Sequence, residues 1–538
     1  MSTTTTPTRE ERAAAAARGM TLALHARSAP DRAAIVSPSG DRTFAELNAN
    51  ANRLVRALRA RGIGAGDSLV LVCANRPEFA EVLFACLRMG VRLTPANWHL
   101  TVDELAYIVS DSDASAVVGD VRFAAAVAAA SEHVPVRLAA GGGIDGFDSY
   151  DGAIAEQSGD DIDDPVPGHT MLYTSGTTGR PKGVDRPPTT VAPTALATTM
   201  AAATRYDPAT DVHLCTGPLY HAAPLAFSLS APLAYGAGVV LMDGWDAQET
   251  LRLVEQHRVT HTHMVPTMFH RLLALPDEVK QRHDLSSLRV VLHGAAPCPV
   301  PVKHALIEWL GPIVYEYYAA TEGGGTFVGP EEWLNKPGTV GRPVEDDLIR
   351  ILDPVDGSQL GAGQVGTVYL RAPAQGRFRY YKDDDKTASS YRGDYFTLGD
   401  HGYLDADGYL FLTGRSAELI ISGGVNIYPA EVDAVLLTHP AVADAGTIGV
   451  PDDEWGEVVW SMVELKEGTR PTAKVAGELM AWCKDRLAHY KCPRAVEFVD
   501  ALPRHDNGKL YRRKLREMYL DQLSRDACSG SVAGRQPP

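Results

Sequence analysis

A run of hydroxylated and glycine residues that ends on a lysine is the segment best suited to chemistry. It lies within residues 171 to 184 and contains Thr174, Ser175, Gly176, Thr177, Thr178, Gly179 and Lys182. Glycine lets backbone N–H groups turn toward one ligand, hydroxyls add donors and an ammonium adds positive charge. The apolar residues before the run predict the end of a strand. The segment therefore predicts a loop that binds a polyphosphate.

This loop differs from a Walker A loop, in which Gly-Lys-Ser/Thr opens a helix. Here Pro181 precedes Lys182 and Gly183 follows it. Proline disfavours helical geometry at Arg180, so no helix is expected to begin there. The alternative interpretation is a surface loop without function, which is what most Thr/Gly-rich segments are. Support must come from other motifs.

A second set of residues is suited to a nucleotide, and consists of Tyr317, Tyr318, Thr321 and Glu322. An aromatic face can cover a purine ring, while a hydroxyl and a carboxylate can contact phosphate and a hard cation such as Mg²⁺. Upstream, His293 is followed by Gly294, Ala295 and Ala296. These small residues after a buried strand let a flat ring approach the backbone. Alone, either set could belong to the core.

Two later motifs contain isolated charges. Asp400 ends Thr397-Leu398-Gly399-Asp400, and Arg415 follows Gly414. A carboxylate accepts hydrogen bonds from vicinal ribose hydroxyls, and a nearby guanidinium can hold ribose or phosphate oxygens. Further on, residues 506 to 508 (Asp-Asn-Gly) predict a turn that presents Lys509 outward. The alternative for Lys509 is a basic tail, because Arg512, Arg513, Lys514 and Arg516 follow it.

Together these motifs resemble those of the adenylate-forming superfamily, which includes acyl-CoA synthetases, firefly luciferases and peptide-synthetase adenylation domains. Every position from 173 to 183 fits the signature loop of that family, and the resemblance extends from about residue 20 to 518. It implies an ATP- and Mg²⁺-dependent acyl-CoA ligase that forms acyl-AMP, releases pyrophosphate and transfers the acyl group to CoA. Ala319 departs from the family's usual Tyr-Gly-x-Thr-Glu, and Val425 replaces a frequent Glu.

The resemblance also implies a role for each motif. Residues 174 to 182 bind the phosphates, Gly294 to Ala296 and the two tyrosines wall the adenine, and Asp400 and Arg415 hold the ribose. Thr321 and Glu322 contact phosphate and Mg²⁺, and Lys509 enters the site during adenylation. The C-terminal domain then rotates about Ala417, so that Ser422, Gly423 and Gly424 face the pantetheine of CoA.

By resemblance, the pocket for the acid is expected between three segments: the residues after His221, the predicted strand near Met264 and the residues after Glu322. Its positions are Ala222, Ala223, Phe227, Met264, Gly323, Gly324 and Gly325, with His221 at the entrance. Small residues leave volume and no carboxylate is present to bind an amino group. The sequence therefore predicts a medium-to-long or bulky apolar acid (fatty, aryl-alkanoic or steroid side-chain), because a two-carbon acid would bury almost nothing there. The glycines could instead be a turn.

Other functions stay open at this point. The acyl group could be passed to the phosphopantetheine of a carrier protein, and an oxygenase of the luciferase kind has the same scaffold. A non-catalytic nucleotide-binding protein would be expected to lack Lys182, Glu322 or Lys509, and all of them are present.

Composition limits the class of protein. A chain of 538 residues is too long for one core, and its net charge of −16 argues against a nucleic-acid or anionic-membrane surface. The seven cysteines have no paired spacing and no secretory signal is seen, which favours a reducing, cytoplasmic location. The partners expected are small molecules, with a homodimer possible. Residues 1 to about 8 and from about 526 onward predict disordered tails.

Strands alternate with helices, which predicts an α/β fold. We expect a large N-terminal domain (residues 1–414) of α/β sheets with a barrel-like subdomain after residue 348. A small mobile α+β domain (residues 415–538) should follow it. Capping boxes at Thr43/Glu46 and Thr101/Glu104 predict two helix starts. The uncharged segment 222–242 could span a bilayer by length, but its Ser, Pro and Gly residues favour a buried helix followed by a buried strand.

Overall fold

The computed structural model describes residues 7–174, 181–187, 195–345, 347–415, 418–422, 425–452, 455–504 and 508–528. Most of the two predicted tails (residues 1 to about 8 and from about 526 onward), namely residues 1–6 and 529–538, lies outside this range. Thr8 instead caps the first helix, and residues 526–528 belong to the last one, so the predicted bounds were too wide there. Elements are numbered in chain order.

The first part of the chain alternates helices and strands, as the sequence predicts. Its elements are α1 (Arg9–Ala16), α2 (Thr21–Ser28), β1 (Ala33–Val36), β2 (Arg42–Thr43), α3 (Phe44–Arg59), β3 (Ser68–Val72), α4 (Pro77–Met89), β4 (Arg92–Pro95), α5 (Val102–Asp111), β5 (Ala114–Asp120), α6 (Ala124–Ala130), β6 (Val136–Ala140), β7 (Asp148–Ser149), α7 (Tyr150–Ala155) and β8 (His169–Thr170). Both predicted capping boxes are present, at the starts of α3 and α5. Gly90 ends α4 in the left-handed region, at φ 76°.

The middle of the chain continues the alternation. Its elements are β9 (Leu172–Thr174), β10 (Lys182–Asp185), α8 (Ala195–Ala203), β11 (Val212–Cys215), a π-helix (Pro224–Ser230), α9 (Ala231–Tyr235), β12 (Gly238–Leu241), α10 (Ala247–Gln256), β13 (His261–Met264), α11 (Pro266–Leu273), α12 (Asp277–Lys280), β14 (Val290–His293), α13 (Val300–Leu310), β15 (Val314–Ala319), β16 (Gly324–Val328) and α14 (Pro330–Asn335).

Two large sheets are built from these strands. Among the described residues one sheet has the order β16-β15-β14-β13-β11-β12-β1-β2, and it is parallel from β15 to β1 with an antiparallel strand at each edge. The other has the order β7-β6-β5-β3-β4-β8 and is parallel throughout. One core, which includes Phe44, Leu54 and Phe79, fills the space between the sheets and their helices. The predicted α/β fold is confirmed.

Antiparallel strands follow residue 348, where the sequence predicts a barrel-like subdomain. The elements are β17 (Ile349–Leu352), β18 (Gly366–Arg371), β19 (Arg379–Tyr380), α15 (Asp384–Ser390), β20 (Tyr391–Arg392), β21 (Tyr395–Leu404) and β22 (Leu410–Arg415). Strands β17, β18, β21, β20 and β22 form one antiparallel sheet, whereas β19 joins β10 and β9. This last pairing attaches the subdomain to the segment that contains Lys182.

The C-terminal part is a compact α+β unit. Its elements are β23 (Ile420–Ser422), β24 (Val425–Ile427), α16 (Pro429–Leu436), β25 (Val442–Asp452), β26 (Gly456–Leu465), α17 (Ala473–Lys484), β27 (Ala495–Phe498) and α18 (Arg512–Cys528). Helix α18 replaces the basic tail that was the alternative for this region. It forms because Leu515 is fully buried and packs with Ile448 and Met462.

The uncharged segment 222–242 forms the π-helix, α9 and β12, a buried helical stretch before a buried strand, as predicted. Within the described residues no helix has the length and apolarity to cross a membrane.

Candidate active site

Several of the predicted site residues lie on the segments that leave one edge of the eight-stranded sheet. Strands β11, β13, β14 and β15 are parallel, so their carboxyl ends lie side by side. They lead into the segments that begin with Thr216, Val265, Gly294 and Ala320 respectively. In open α/β sheets, ligands bind outside the carboxyl ends of the strands. The topology therefore brings together motifs that are up to about a hundred residues apart in sequence.

Gly294 is required by the close approach of β15. A Cβ there would lie 2.6 Å from the Tyr317 ring and 2.7 Å from the Tyr317 carbonyl oxygen. Ala295 then adopts φ 67°, an uncommon conformation for a residue with a side chain. The segment is thus tightly fixed, as a wall for a flat ring would need to be. The adenine role of Gly294, Ala295 and Ala296 stays a prediction.

Tyr317 and Tyr318 point to opposite sides of β15, because alternate residues of a strand do. The Tyr317 hydroxyl is hydrogen-bonded to His263 Nε2 at 2.9 Å, and the Phe227 ring lies 4.8 Å from the Tyr317 ring. The Tyr318 hydroxyl donates to Oδ2 of Asp400 at 2.6 Å. One tyrosine therefore belongs to the side predicted for the acid, and the other to the side predicted for the ribose.

Asp400 is 5% exposed and lies on β21. Its backbone is in register with that of Arg415 on β22, so the two residues are cross-strand neighbours. The side chain of Arg415 lies outside the description. This register brings the two predicted ribose-binding positions together.

The side predicted for the phosphates, called the phosphate side below, is built on the β9–β10 pair. Lys182 pairs with Thr174, which closes the loop between them, and residues 175 to 180 (Ser175, Gly176, Thr177, Thr178 and Gly179 among them) lie outside the described part. The Lys182 ammonium forms an ion pair with the carboxylate of Asp383. Oε1 of Glu322 accepts a 2.9 Å hydrogen bond from the Tyr380 hydroxyl. Sequence reasoning missed both partners, because no motif contains them.

The described residues contain no group of three or more His, Cys, Asp or Glu side chains that could hold a metal ion. Glu322 is half-buried beside Thr321, and Tyr380 contacts one of its carboxylate oxygens. Mg²⁺ is commonly held by one or two carboxylates together with substrate phosphates and water. A single carboxylate with an oriented oxygen fits that mode of binding.

The side predicted for the acid is lined by half-buried apolar residues. Ala222, Ala223 and Phe227 are half-buried on or before the π-helix, and Ala223 and Phe227 pack in one cluster with Tyr317 and Ala319. A π-helix is rare and occurs mostly at functional sites. The Phe227 ring also lies 5.7 Å from the His263 ring, in a stacked arrangement. His221 is half-buried immediately before this segment.

Other predicted pocket residues have packing partners of their own. Met264 is buried with Phe269 and Leu272, and its neighbour His263 is the β13 residue on the Phe227 side. Gly323 and Gly325 are buried, and a Cβ would lie 2.7 Å from the Phe396 and Tyr318 rings respectively. Gly324 is exposed. These glycines permit close packing, and their contact with an acid stays a prediction.

The C-terminal unit docks onto the same edge of the sheet. Gly508 has φ 76°, and a Cβ there would lie 2.0 Å from Thr267 Oγ1 and 3.0 Å from Val265 Cγ2. Because Val265 directly follows β13, this contact places Lys509 at the carboxyl edge. His401 Nδ1 and the Tyr428 hydroxyl form a second contact between the two parts, at 3.2 Å. Ser422 ends β23, whereas Gly423, Gly424, Ala417 and residues 505 to 507 lie outside the described residues.

Comparison with known proteins identifies the family. The model of the AMP-binding enzyme family matches residues 22–381, and that of the AMP-binding enzyme C-terminal domain matches residues 431–509. The feruloyl-CoA synthase of an Amycolatopsis species is 34% identical, over 92% of this chain and 97% of its own. The indoleacetate–CoA ligase of Aromatoleum aromaticum is 33% identical, over 92% and 96%.

Among solved structures, the o-succinylbenzoate CoA synthetase of Bacillus subtilis with its acyl-adenylate superposes with a TM-score of 0.76. It is 30% identical, and the match covers 92% of this chain and 97% of that one. The family models and these full-length similarities show that the chain belongs to the AMP-binding enzymes of the adenylate-forming superfamily.

Proposed function

We propose that the protein is an ATP-dependent CoA ligase that activates an aryl or arylalkanoic acid. The acid is first joined to AMP with release of pyrophosphate, and the acyl group is then transferred to CoA. The observation that best supports this is the docking of Gly508 against Val265 and Thr267. It brings Lys509 of one domain to the edge where the residues predicted to bind the nucleotide, the phosphates and the acid meet.

Adenylation joins two anions, so the site must offset their repulsion locally in a chain whose net charge is −16. Lys509 supplies a cation where the acid and the α-phosphate must meet. Lys182 supplies another on the side of the departing pyrophosphate. Mg²⁺ bound there with the phosphates would neutralise further charge, and Glu322 is the residue that would hold it.

Two domains are part of the proposal, with a boundary between residues 414 and 415. The docked position of Gly508 suits adenylation, because it presents Lys509 to the sheet edge. Thioester formation needs room for the thiol of CoA, so the C-terminal domain must move. Rotation about Ala417, with Ser422, Gly423 and Gly424 brought to the thiol, is the movement that the family resemblance implies.

The walls of the proposed pocket support an aromatic acid. Ala223 and Phe227 are half-buried and apolar, and the Phe227 and Tyr317 rings lie 4.8 Å apart. Aromatic rings stack favourably at such distances, so a flat acid gains a ring contact here in addition to apolar burial. The relatives described above are named for indoleacetate, ferulate and o-succinylbenzoate. Of the acids expected from the sequence, the aryl-alkanoic class is therefore favoured, and these relatives do not support the fatty acids.

The test is release of pyrophosphate and formation of thioester from ATP, Mg²⁺, CoA and a panel of acids. The panel should pair arylpropenoic, arylacetic and benzoic acids with octanoate and palmitate. We expect the highest kcat/KM with an aryl acid, and acyl-AMP to accumulate when CoA is omitted. Absence of pyrophosphate release with every acid would overturn the proposal. If the acyl group is transferred only to a phosphopantetheinylated carrier protein, the acceptor is that protein and not CoA.

A further inference from the structure

Residues 380 to 383 contact both charged residues of the phosphate side. The Tyr380 hydroxyl donates to Glu322, and the carboxylate of Asp383 pairs with the Lys182 ammonium. Strand β19 is also hydrogen-bonded to β10, since Val184 pairs with Tyr380. No motif identified in the sequence includes this segment. It nevertheless joins two residues, Lys182 and Glu322, that are 140 positions apart in the chain.

The segment is itself held firmly. Oδ1 of Asp383 accepts from the Lys386 amide at 2.9 Å and so caps α15. The Tyr380 amide donates to Thr387 Oγ1 at 2.9 Å, and the Thr387 hydroxyl donates to the Asp383 carbonyl at 2.8 Å. The side chains at 380 and 383 therefore extend from a backbone whose conformation is fixed on both sides.

A second anchor ties the segment to the start of the phosphate loop. Tyr381 donates to Oδ2 of Asp113 at 2.7 Å, and Lys382 donates to Oδ1 of Asp113 and to the Asp111 carbonyl, each at 2.8 Å. The Tyr173 hydroxyl donates to Oδ2 of Asp111 at 2.5 Å. Tyr173 precedes the loop and Lys182 ends it. The end of α5 and residues 380 to 383 thus hold both ends of the loop.

The protonation states suit these contacts at neutral pH. The hydrogen bond from Lys182 lowers the pKa of Asp383, so this carboxylate is ionised. The Tyr380 hydroxyl donates a hydrogen bond to Oε1 of Glu322 at 2.9 Å. A lysine ammonium has three donors. Lys182 can therefore keep its bond to Asp383 while it donates to a phosphate oxygen.

We propose that Asp383 and Tyr380 are positioning residues for the triphosphate and its cation. Asp383 holds the flexible Lys182 side chain where the phosphates bind, and Tyr380 fixes one oxygen of Glu322 so that the other faces the cation. Neither residue is required to touch the substrate. The inference deepens the proposed function and rests on it, because it presumes that MgATP binds at Lys182 and Glu322.

The capping role of Asp383 can be separated from its charge. Asparagine caps a helix about as well as aspartate does, so Asp383→Asn keeps the bond to the Lys386 amide and removes the ion pair. Asp384→Asn is the matched control, since Asp384 is the adjacent exposed carboxylate and its loss changes net charge equally. Lys182→Ala and the double variant Lys182→Ala/Asp383→Asn complete a double-mutant cycle, which measures the interaction energy of this ion pair.

The dissociation constant of the Mg²⁺ complex of α,β-methylene-ATP, measured by calorimetry on the whole protein, is the first readout. We expect Asp383→Asn to weaken it about tenfold and Asp384→Asn to leave it unchanged. In the Lys182→Ala background, Asp383→Asn should have no further effect. Steady-state kinetics should show a higher KM for ATP with an unchanged KM for the acid. Tyr380→Phe should increase the Mg²⁺ concentration needed for half-maximal binding.

If Asp383→Asn weakens binding of the analogue equally in the parental protein and in Lys182→Ala, Asp383 acts on folding or on the loop as a whole, and the inference is overturned. Unchanged binding by Asp383→Asn and Tyr380→Phe, when the parental protein binds normally, would also overturn it. Failure of the parental protein to bind the analogue, and to release pyrophosphate with any acid, would instead refute the proposed function itself.

Discussion

The Tyr318 hydroxyl donates a 2.6 Å hydrogen bond to Oδ2 of Asp400, and both side chains are buried. The bond joins β15 of the eight-stranded sheet to β21 of the antiparallel subdomain. Residues 82 positions apart in sequence are thus brought to one side of the candidate site. In the proposed complex this carboxylate accepts hydrogen bonds from the ribose.

Asp400→Ala should raise the KM for ATP about tenfold to a hundredfold, because a hydrogen bond to a charged group contributes roughly 1.5 to 3 kcal/mol. Tyr318→Phe should have a smaller effect, since it leaves the carboxylate in place and removes only its orienting partner. The measurement compares kinetics with ATP and with 2′,3′-dideoxy-ATP, which lacks the ribose hydroxyls that would donate to Asp400. The exposed Asp394 provides a control as Asp394→Ala. If neither Asp400→Ala nor the dideoxy substrate loses activity, Asp400 does not bind the ribose.

Gly508→Ala should abolish acyl-AMP formation and spare the conversion of supplied acyl-AMP to thioester. A Cβ at Gly508 would lie 2.0 Å from Thr267 Oγ1 and 3.0 Å from Val265 Cγ2, so the turn before Lys509 can dock only if these side chains shift. Lys509→Ala should give the same division between the half-reactions by removing the cation itself. Each half-reaction is measured separately with synthetic acyl-AMP.

Gly468→Ala is the control for this substitution. Gly468 has φ 85°, close to that of Gly508, but no atom lies within 4 Å of its Cβ position. It therefore reproduces the backbone strain without the collision. Equal loss of adenylation in both variants would mean that strain, and not docking, causes the defect.

Phe227→Ala should lower the preference for aryl acids. The Phe227 ring contacts those of Tyr317 and His263, and an aromatic pair contributes about 0.5 to 1.5 kcal/mol beyond its buried area. We expect the ratio of kcat/KM for an aryl acid to that for octanoate to fall about tenfold. Phe411→Ala, which removes a half-buried ring stacked on Tyr403, is the comparison. A uniform fall for all acids would place Phe227 outside the pocket.

Local signals predicted local structure well. Thr43 and Glu46 form the reciprocal bonds that their spacing implies, and so do Thr101 and Glu104. Helix α18 could also have been predicted. Its buried Leu515 and the partly buried Met518 and Tyr519 have helical spacing within a run of basic residues.

The site was predicted only where a motif names its residues. The partners of Lys182 and Glu322 were not, because Asp383 is 201 positions from Lys182 and Tyr380 is 58 from Glu322. Such pairs depend on the register of β19 against β10, which no local pattern determines. His263 was missed for a similar reason, since the side to which a strand residue points depends on how the sheet is packed.

Acidification should destabilise the protein from about pH 6.5 downward. Burial lowers the pKa of His263 to about 3 and that of His261 to about 4, and it also lowers the pKa values of His213 and His293 well below the ordinary value. These rings are neutral when folded but bind protons near pH 6.5 when unfolded. Their stabilising contribution is therefore complete above pH 6.5 and is lost as the pH falls toward the folded pKa. Each adds a slope of up to about 1.4 kcal/mol per pH unit to the free energy of unfolding.

Urea unfolding between pH 7.5 and 5 measures this slope, which His263→Gln should reduce and His133→Gln, at an exposed position, should not. A free energy of unfolding that stays constant from pH 7 to 5 would show that these histidines are not held neutral.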